Sequence, residues 1–398
     1  MRVFGTTQSP EKSVGASTSG TAEKWPGRAP TPTAVAGDEG SGRRGFDLLL
    51  ESFRTKLETA QQAWLEHKQT KFTEGVPEAD ELTGNLARFL FRQGKRLRPA
   101  LIYYAYRGCG GSSDQVVMPV AMAVELLHTY LLIHDDIMDR AELRRGEPSA
   151  HVLYRDLHRA RGWAGSSSHF GESVAILLGD LAQTYSVELF ASVEADPGVR
   201  RTVGLCYTAM CEEVIVGQYL EMTAGYRQNL SEEELLRVLQ MKSGRYSVER
   251  PIQLGALLAG ASESTLQALT AYGAKMGEAF QLQDDLLGMF GDAARVGKPV
   301  GADLAEGKFT MLIHHTLRRV SPGDRRAVLA ALGESEVSAR EVERVQSIIE
   351  ESGARRRVVE MVEERMATAL EALAGLELEG EGEEFFRGLI DYLRGRER

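Results

Sequence analysis

The sequence predicts an all-α fold, in which long helices with short connections pack as a bundle. Apolar residues recur at intervals of three and four along most of the chain, beginning with Phe46, Leu49 and Phe53. This is the spacing of one helix face. Ser231 is followed three residues later by Glu234, which is typical of a capping box at a helix start. Almost no stretch has the alternation of apolar and polar residues that indicates a strand.

The individual helices follow from these signals in order along the chain. Turns are indicated at Gly108–Gly111 and Pro322-Gly323, and a second capping box begins at Ser338. The longest connections, 140–170 and 291–307, each follow an acidic motif, where a lid or phosphate clamp is expected. The predicted helices span residues 46–70, 80–92, 96–107, 117–139, 171–193, 199–224, 232–260, 264–290, 308–320, 324–332, 339–351, 355–374 and 383–394.

The composition restricts the class of protein. The chain has 398 residues and a net charge of −10, which argues against a general nucleic-acid-binding surface. Cys109, Cys206 and Cys211 form neither an even disulfide set nor a metal-binding spacing. Free thiols in a reducing, cytoplasmic setting are therefore expected. We find neither an apolar run as long as a membrane span nor a hydrophobic signal core at the N-terminus.

Residues 1–44 differ in composition from the rest of the chain. They are rich in Gly, Ser, Thr, Pro and Ala and contain few large apolar side chains. Such a segment cannot bury enough apolar surface to offset its conformational entropy, so a disordered extension is predicted. Residues 45–398 contain every motif described below and are predicted to form one catalytic domain.

The first acidic motif lies at the end of an apolar helical stretch. Asp135, Asp136 and Asp139 follow the run Leu126–Ile133, and residues four apart share a helix face. Two aligned carboxylates, Asp135 and Asp139, repel each other unless a cation lies between them, and Mg²⁺ prefers such oxygen ligands. The basic pair Arg144-Arg145 follows. Metal ligands beside arginines indicate a diphosphate site.

A second acidic motif ends another apolar helical stretch. Gln281 precedes Asp284 and Asp285, and Lys298 and Lys308 follow. Either motif alone could be an exposed acidic helix end followed by a basic turn. Two such ends, each followed by basic residues, favour two faces of one cavity that hold a polyanion through shared metals.

Three further polar sites have a structural alternative when each is considered alone. Lys95 and Arg98 flank a predicted helix start, where free backbone N–H groups favour anions, although a solvated basic turn is favoured when the segment is considered alone. His128 lies two turns before Asp135. Considered alone, it is interpreted as a buried core histidine. Lys242-Ser243 precedes Gly244, which permits a helix kink whose free carbonyls could face a cation. Gln218 is a weaker candidate for lining the same cavity.

The chain resembles the trans-isoprenyl diphosphate synthases, the polyprenyl synthetase family, over roughly residues 45–320. The resemblance implies an isoprenoid-synthase-type helical bundle around a deep central cavity, a homodimer, and Mg²⁺-dependent head-to-tail prenyl transfer. The substrates implied are isopentenyl diphosphate and an allylic diphosphate (dimethylallyl, geranyl or farnesyl). The matching segments are Gly94–Pro99, His128, Asp135–Asp139, Leu143–Gly146, Gly179-Asp180, Lys242-Ser243 and Phe280–Asp285.

The resemblance also implies a role for each candidate residue. Mg²⁺ is expected on Asp135, Asp139 and Asp284. The isopentenyl diphosphate site is expected to contain Lys95, Arg98, His128 and Arg145. The allylic diphosphate site is expected to contain Arg144, Lys242, Lys298 and Lys308, with Ser243 and Gln281 beside the reacting carbons.

Two positions depart from the family pattern. Gly288 stands where many members have a third Asp, so one possible metal ligand is missing from the second motif. Asp284 still offers direct ligation, and Asp285 or Asp292 could act through water, because Mg²⁺ commonly keeps several waters. Ser243 replaces the usual Thr.

The residues below the first motif bear on product length. Leu131 lies one turn before Asp135 on the same face, and Tyr130 lies about 7.5 Å along the helix axis from it. The azimuth of Tyr130 is off the metal face, so an ordinary core tyrosine is an alternative. An aromatic residue at this position, without an insertion between Asp136 and Asp139, resembles the geranylgeranyl type. A C20 product is therefore expected, with C15 farnesyl or longer chains as alternatives.

Two rival functions come from other classes. A terpene cyclase also uses Asp-rich Mg²⁺ sites on helices, but it does not need a second diphosphate site around Lys95 and Arg98. A non-catalytic subunit is expected to have lost acids from its first motif, which is intact here.

Overall fold

Helices make up nearly all the regular structure of the computed structural model, which describes residues 41–73, 75–76, 79–291, 300–334 and 337–395. The all-α prediction is confirmed. The helices are α1 (Ser41–Thr73), α2 (Ala79–Leu90), α3 (Leu97–Gly108), α4 (Asp114–Met138), α5 (Ala150–Ala160), α6 (Ser167–Ala191), α7 (Pro197–Arg227), α8 (Glu232–Leu239), a π-helix (Gln240–Glu249), α9 (Arg250–Leu258), α10 (Glu263–Phe290), α11 (Ala302–Ala305), α12 (Met311–Leu317), α13 (Pro322–Ala331), α14 (Ala339–Glu351), α15 (Ala354–Ala372) and α16 (Gly382–Arg394).

Side-chain caps fix where several of these helices begin. The hydroxyl of Ser231 accepts the backbone N–H of Glu234, whose carboxylate accepts the N–H of Ser231 at 2.9 Å. The same reciprocal box forms between Ser338 and Glu341. Each box satisfies two N–H groups that a helix start leaves without partners. Both predicted capping boxes are therefore confirmed.

The predicted helix 232–260 is divided into three parts by the π-helix at Gln240–Glu249. Neighbouring helices approach this segment very closely. A Cβ on Gly217 of α7 would lie 2.3 Å from the backbone nitrogen of Lys242, and one on Gly277 of α10 would lie 2.4 Å from the carbonyl oxygen of Gly244. Only glycine fits at such distances. The kink expected near Gly244 is thus present as a wide π-helix, a feature that is frequent at functional sites.

The predicted connection 140–170 contains a hairpin and helix α5. Strands β1 (Leu143–Arg144) and β2 (Glu147–Pro148) pair antiparallel. Their two-residue loop, Arg145-Gly146, has φ values of 56° and 77°, as a type I′ turn requires. Strands of two residues are too short to produce a periodic signal, so the sequence did not indicate them.

The start of the ordered domain lies slightly earlier than expected. Helix α1 begins at Ser41, so the end of the predicted disordered extension, residues 41–44, is helical. Residues 1–40 lie outside the described residues.

The central helices pack around α4 and α10. Helix α4 packs against α3 and α6, whereas α10 packs against the π-helix and α15. The π-helix also packs against α7. Helix α4 reaches the π-helix through side chains, since Lys242 lies 3.6 Å from Asp135 and Tyr246 lies 2.9 Å from His128, and these contacts position the site described next.

Two described helices, α4 and α6, are long and apolar enough by length and composition to cross a membrane, whereas no run of that length was expected. The most apolar window is 67% buried in α4 and 39% buried in α6. Core helices of soluble proteins pass the same test, so this is weak evidence for a span.

Candidate active site

The carboxyl end of α4 carries two acids, Asp135 and Asp139, whose charges repel each other. Asp139 caps the helix, and its N–H bonds to the carbonyl of Asp135 at 2.8 Å. Burial and then the charge of Asp135 raise the pKa of Asp139 to about 6. Its Oδ2 is buried and accepts no hydrogen bond from the described residues, although Lys308 Nζ lies 3.5 Å away. A divalent ion would relieve the repulsion and satisfy this oxygen, so the residues fit a metal.

Asp135 is surrounded by donors from three other elements. Gln218 Nε2 donates to it at 3.0 Å, a terminal guanidinium nitrogen of Arg144 lies at 3.3 Å, and Lys242 Nζ lies at 3.6 Å. Asp136 is buried and accepts a hydrogen bond from Arg144 Nε at 2.7 Å. Asp136 thus positions Arg144 beside the metal-binding pair.

Two lysines lie beside these acids, Lys242 near Asp135 and Lys308 near Asp139. Lys242 forms an ion pair with Glu221 of α7, and Lys308 pairs with Glu306. Burial lowers the pKa of Lys308, but Asp303 and other acids raise it more, so the pKa lies well above its usual value. Both ammonium groups therefore stay charged and can bind a diphosphate.

The second acidic motif lies near the end of α10 (Glu263–Phe290). Gln281 Nε2 donates to Asp285 Oδ1 at 2.8 Å; the role expected beside a substrate cation concerns the amide oxygen and stays a prediction. Asp284 is half-buried. Burial and then Asp303 raise the pKa of Asp285 well above its usual value. Lys308 lies within 4 Å of both Asp139 and Asp303 and so joins the end of α4 to α11, whose Asp303 acts on Asp285.

The position left open by Gly288 is filled by another acid. A Cβ built on Gly288 would lie 2.2 Å from Asp303 Oδ2. Asp303, from the short helix α11, therefore brings a carboxylate to the place where a side chain at 288 would begin. The missing third acid of the motif is replaced in space by a residue fifteen positions later.

A second cluster, around His128 two turns before Asp135 on α4, is basic. Arg98 donates to Ser247 Oγ at 2.7 Å and lies 3.3 Å from His128 Nε2. The other ring nitrogen of His128 is 2.9 Å from the hydroxyl of Tyr246. Burial and then the charges of Arg98 and Arg145 hold the pKa of His128 well below its usual value, so the ring is neutral at pH 7.

Arg96 and Arg145 complete this basic cluster in strained backbone. Both have positive φ, at 54° and 56°, which side chains other than glycine rarely adopt. Arg96 is buried and pairs with Glu125. Burial lowers the pKa of Arg145 to about 10, as expected where positive charges crowd together. An adjoining pocket is lined by charged residues of both signs and His128, namely Arg92, Arg96, Glu125, His128, Asp136, Arg144 and Arg145.

The hairpin directs two consecutive arginines to the two clusters. Arg144 in strand β1 bonds to Asp135 and Asp136. Arg145 in the turn places its guanidinium 2.9 Å from the Cβ position of Gly94, at the start of the basic segment. The separation follows from the tight turn, because the strand residue and the turn residue point in different directions.

Other predicted residues are placed less centrally or not described. Lys95 is exposed and lies 5.5 Å from the ring centre of Tyr392. Ser243 is half-buried within the π-helix. Lys298 and Asp292 lie outside the described residues.

The residues predicted to set product length lie below the first motif. Leu131 is half-buried. The half-buried ring of Tyr130 packs 4.7 Å from His134. Burial, and then Asp180 and Cys211, raise the pKa of Tyr130, so its hydroxyl lies toward α6 and α7.

Sequence reasoning missed residues that have no local motif signal. Arg96 lies inside the Gly94–Pro99 segment and could have been read as a third cation there. Asp303 had one usable signal, namely the gap at Gly288 followed by an acid before Lys308. Glu125 and Glu221 could be found only from the fold, because their partners, Arg96 and Lys242, lie on other elements.

The chain is similar to known proteins over most of its length. Residues 80–350 match the polyprenyl synthetase family model. A short chain isoprenyl diphosphate synthase of Methanocaldococcus jannaschii is 34% identical over 278 residues, 70% of this chain and 79% of that protein. A geranylgeranyl diphosphate synthase of Methanosarcina mazei is 35% identical over 263 residues, 65% of this chain and 73% of its own.

A solved structure is also similar to this chain over most of its length. Geranylgeranyl pyrophosphate synthase from Corynebacterium glutamicum, complexed with isoprenyl diphosphate and magnesium, superposes with a TM-score of 0.83 at 30% identity, covering 88% of this chain and 99% of that one. Since the family model covers residues 80–350 and the relatives are aligned over most of their length, this chain belongs to the polyprenyl synthetase family of prenyltransferases.

Proposed function

We propose that this short-chain trans-prenyltransferase condenses isopentenyl diphosphate head-to-tail with dimethylallyl, geranyl and farnesyl diphosphates to give geranylgeranyl diphosphate. The observation that carries the proposal is the divergence of Arg144 and Arg145. One arginine lies with the acids and lysines, the other with Arg98 and His128. Two anion sites that each contain one of two consecutive arginines suit two diphosphate substrates held side by side.

The allylic diphosphate is assigned to the acidic site. Asp135, Asp139 and Asp284 would hold Mg²⁺, and Asp303 is added to this set because it occupies the space beside Gly288. The metal supplies neutralisation of the diphosphate leaving group. Magnesium in the Corynebacterium glutamicum structure supports this choice. The proposed ligands are all carboxylate oxygens, which suit magnesium.

The cations of this site are already oriented for an anion. Lys242, Lys308 and Arg144 are each held by acids in the described structure. A diphosphate can accept from the same donors, so these residues stabilise charge as it develops on the leaving oxygen. Lys298 is assigned to the same group from the sequence.

The isopentenyl diphosphate is assigned to the basic cluster. Arg98 and Arg145 offer forked donors to its phosphate oxygens. Neutral His128 can donate one ring N–H, with its orientation fixed by Tyr246. Lys95 is assigned here from the sequence. The substrate's double bond would then face the allylic carbon freed at the acidic site.

The space between the clusters contains groups suited to a transient cation. We assign Ser243 and the backbone of the π-helix to this role, together with Gln281, whose neutral amide is less readily alkylated than an acid. None of the motif side chains is an evident base, so we assign the final proton to the released pyrophosphate.

Tyr130 is proposed to set the C20 length. Its ring leans toward α6 and α7 below Asp135, where a growing tail would pass, with Leu131 on the same route. Farnesyl diphosphate, or longer chains, remain the alternative products.

A homodimer in the cytoplasm is also proposed. Exposed large apolar residues concentrate on α6 and α7, and such patches mark protein interfaces. Three free cysteines fit a reducing compartment. The exposed residues are Ile176, Leu177, Val187, Leu205, Ile215, Val216, Tyr219, Met222 and Tyr226.

The decisive experiment incubates the protein with Mg²⁺, labelled isopentenyl diphosphate and each allylic diphosphate in turn. Chromatography of the dephosphorylated products is expected to show C20 alcohol from all three primers. A hydrocarbon made from the allylic substrate alone would instead indicate a cyclase. Absence of any product would indicate a non-catalytic subunit. A dominant C15 product would refute the chain-length assignment while leaving prenyl transfer intact.

A further inference from the structure

Two histidines and a glutamate meet at a distance from the prenyl-transfer residues. His314 and His315 are consecutive on α12, and Glu232 is the first residue of α8. One ligand atom from each lies within 4.8 Å of the other two. The capping box of Ser231 fixes the start of α8 and so places the Glu232 side chain opposite α12.

The side chain of His315 is buried and has one nitrogen without a hydrogen-bond partner among the described residues. His315 is 5% exposed, and the nitrogen is its Nε2. A buried polar atom without a partner is costly and calls for an explanation such as an ion. Because Glu232 is exposed, its carboxylate can move toward this nitrogen without disturbing the core.

The two rings are in the state that binds metals. Burial lowers the pKa of His315 to about 4 and also lowers that of His314, so both are neutral at pH 7. His314 is further held by a hydrogen bond to the main chain of Leu230. A second bond of this kind commonly orients a histidine ligand.

We infer that Glu232, His314 and His315 bind one transition-metal ion of the Zn²⁺ class, with water as the fourth ligand. Two imidazoles and one carboxylate match the ligand types and number of a three-residue zinc site. Imidazole ligands favour zinc, copper or nickel over magnesium, so this site differs chemically from the acidic one.

The position of the site gives it a structural consequence. Glu232 precedes Lys242 by ten residues, and His314 follows Lys308 by six. A shared ion would tie together the two segments that carry these lysines. Arg319 and Arg357 add positive charge around His315, so the affinity is expected to be moderate rather than tight.

The test is a Zn²⁺ titration of the full chain, stripped with a chelator and held in excess Mg²⁺. Binding is followed by competition with a chromophoric zinc chelator. We expect one zinc per chain in the wild type and at least tenfold weaker binding in His315→Ala and in Glu232→Gln. His169→Ala removes an exposed histidine elsewhere and is expected to bind like the wild type.

Two further measurements keep the inference open to refutation. Zinc is expected to raise the thermal midpoint of the wild type and of His169→Ala, as ligands of the native state do, but not that of Glu232→Gln. Glu232 is exposed, so its conservative variant should fold even if His315→Ala does not. Equal zinc affinity in all variants, or loss of zinc binding in Asp135→Asn instead, would overturn the assignment. Neither measurement depends on prenyl transfer.

Discussion

At the scale of single residues, Asp135 and Asp139 organise the charges around them. Removing either carboxylate removes a proposed metal ligand and leaves Lys242 or Lys308 with one partner fewer. We expect Asp135→Ala and Asp139→Ala each to lower turnover by roughly a thousandfold or more, the scale of losing transition-state charge stabilisation. Steady-state assays at saturating Mg²⁺ measure this. Asp292→Ala, beyond Gly288, is expected to have little effect, and near-normal turnover of Asp135→Ala would contradict the metal assignment.

Asp303 is predicted to replace the acid that Gly288 lacks. Asp303→Ala should weaken Mn²⁺ or Mg²⁺ binding in calorimetry, because it empties the space next to Gly288. Gly288→Asp alone should not help, since the new side chain would collide with Asp303. Combining the two changes moves the carboxylate from 303 to 288 and should restore most of the affinity. A double variant as weak as Asp303→Ala would show that the two positions are not equivalent.

Tyr130 is predicted to limit the length of the product. Tyr130→Ala removes the ring that leans toward α6 and α7, so products longer than C20 are expected. Tyr130→Phe keeps the ring without its hydroxyl and serves as the control, with product length unchanged. Chromatography that shows the same chain length for both variants would mean that another residue forms the floor.

At the scale of elements, the contact between α7 and the π-helix depends on one missing side chain. Gly217→Ala would push a methyl group into the backbone of Lys242, so we expect a loss of about 1–3 kcal/mol in the free energy of unfolding. Turnover should fall as well, because Lys242 moves with its backbone. Gly204→Ala lies on the same helix with nothing within 4 Å, and it should be neutral or stabilising by up to about 1 kcal/mol. Urea unfolding of the two variants compares these expectations; equal stability would mean that the close approach is easily relaxed.

Helix ends marked by local chemistry could be predicted, whereas elements set by tertiary contacts could not. The Ser231 and Ser338 caps act within one turn and are readable from spacing alone. The π-helix exists because Gly217 and Gly277 let two helices approach it, and these glycines are distant in sequence. The hairpin that separates Arg144 from Arg145 has only two residues in each strand, too few for a period to be seen.

At the scale of the whole molecule, the meeting of the two acidic motifs was predicted, but the network that joins them was not. The repetition of an acidic helix end followed by cations is visible in the sequence, and Lys308 does lie between Asp139 and Asp303. That Glu221 and Asp303 both act on Lys308 depends on how α7 and α11 pack. Charge pattern thus selects candidate residues, while packing decides which of them share a partner.

The boundary of the folded domain provides the last prediction, that deleting residues 2–44 leaves folding and turnover essentially unchanged. The deletion removes only the first four described residues of α1, including an exposed Arg43–Asp47 ion pair of little energetic weight. Phe46, two residues after the end of the deletion, is fully buried. Its ring centre lies 4.9 Å from that of Phe385 and 5.0 Å from that of Tyr392. Adding Phe46→Ala to the truncated chain should therefore cost about 3–5 kcal/mol. Thermal midpoints and turnover of both chains measure the difference. If the simple truncation already lowers the midpoint as far as the substituted chain, the folded unit begins before residue 45.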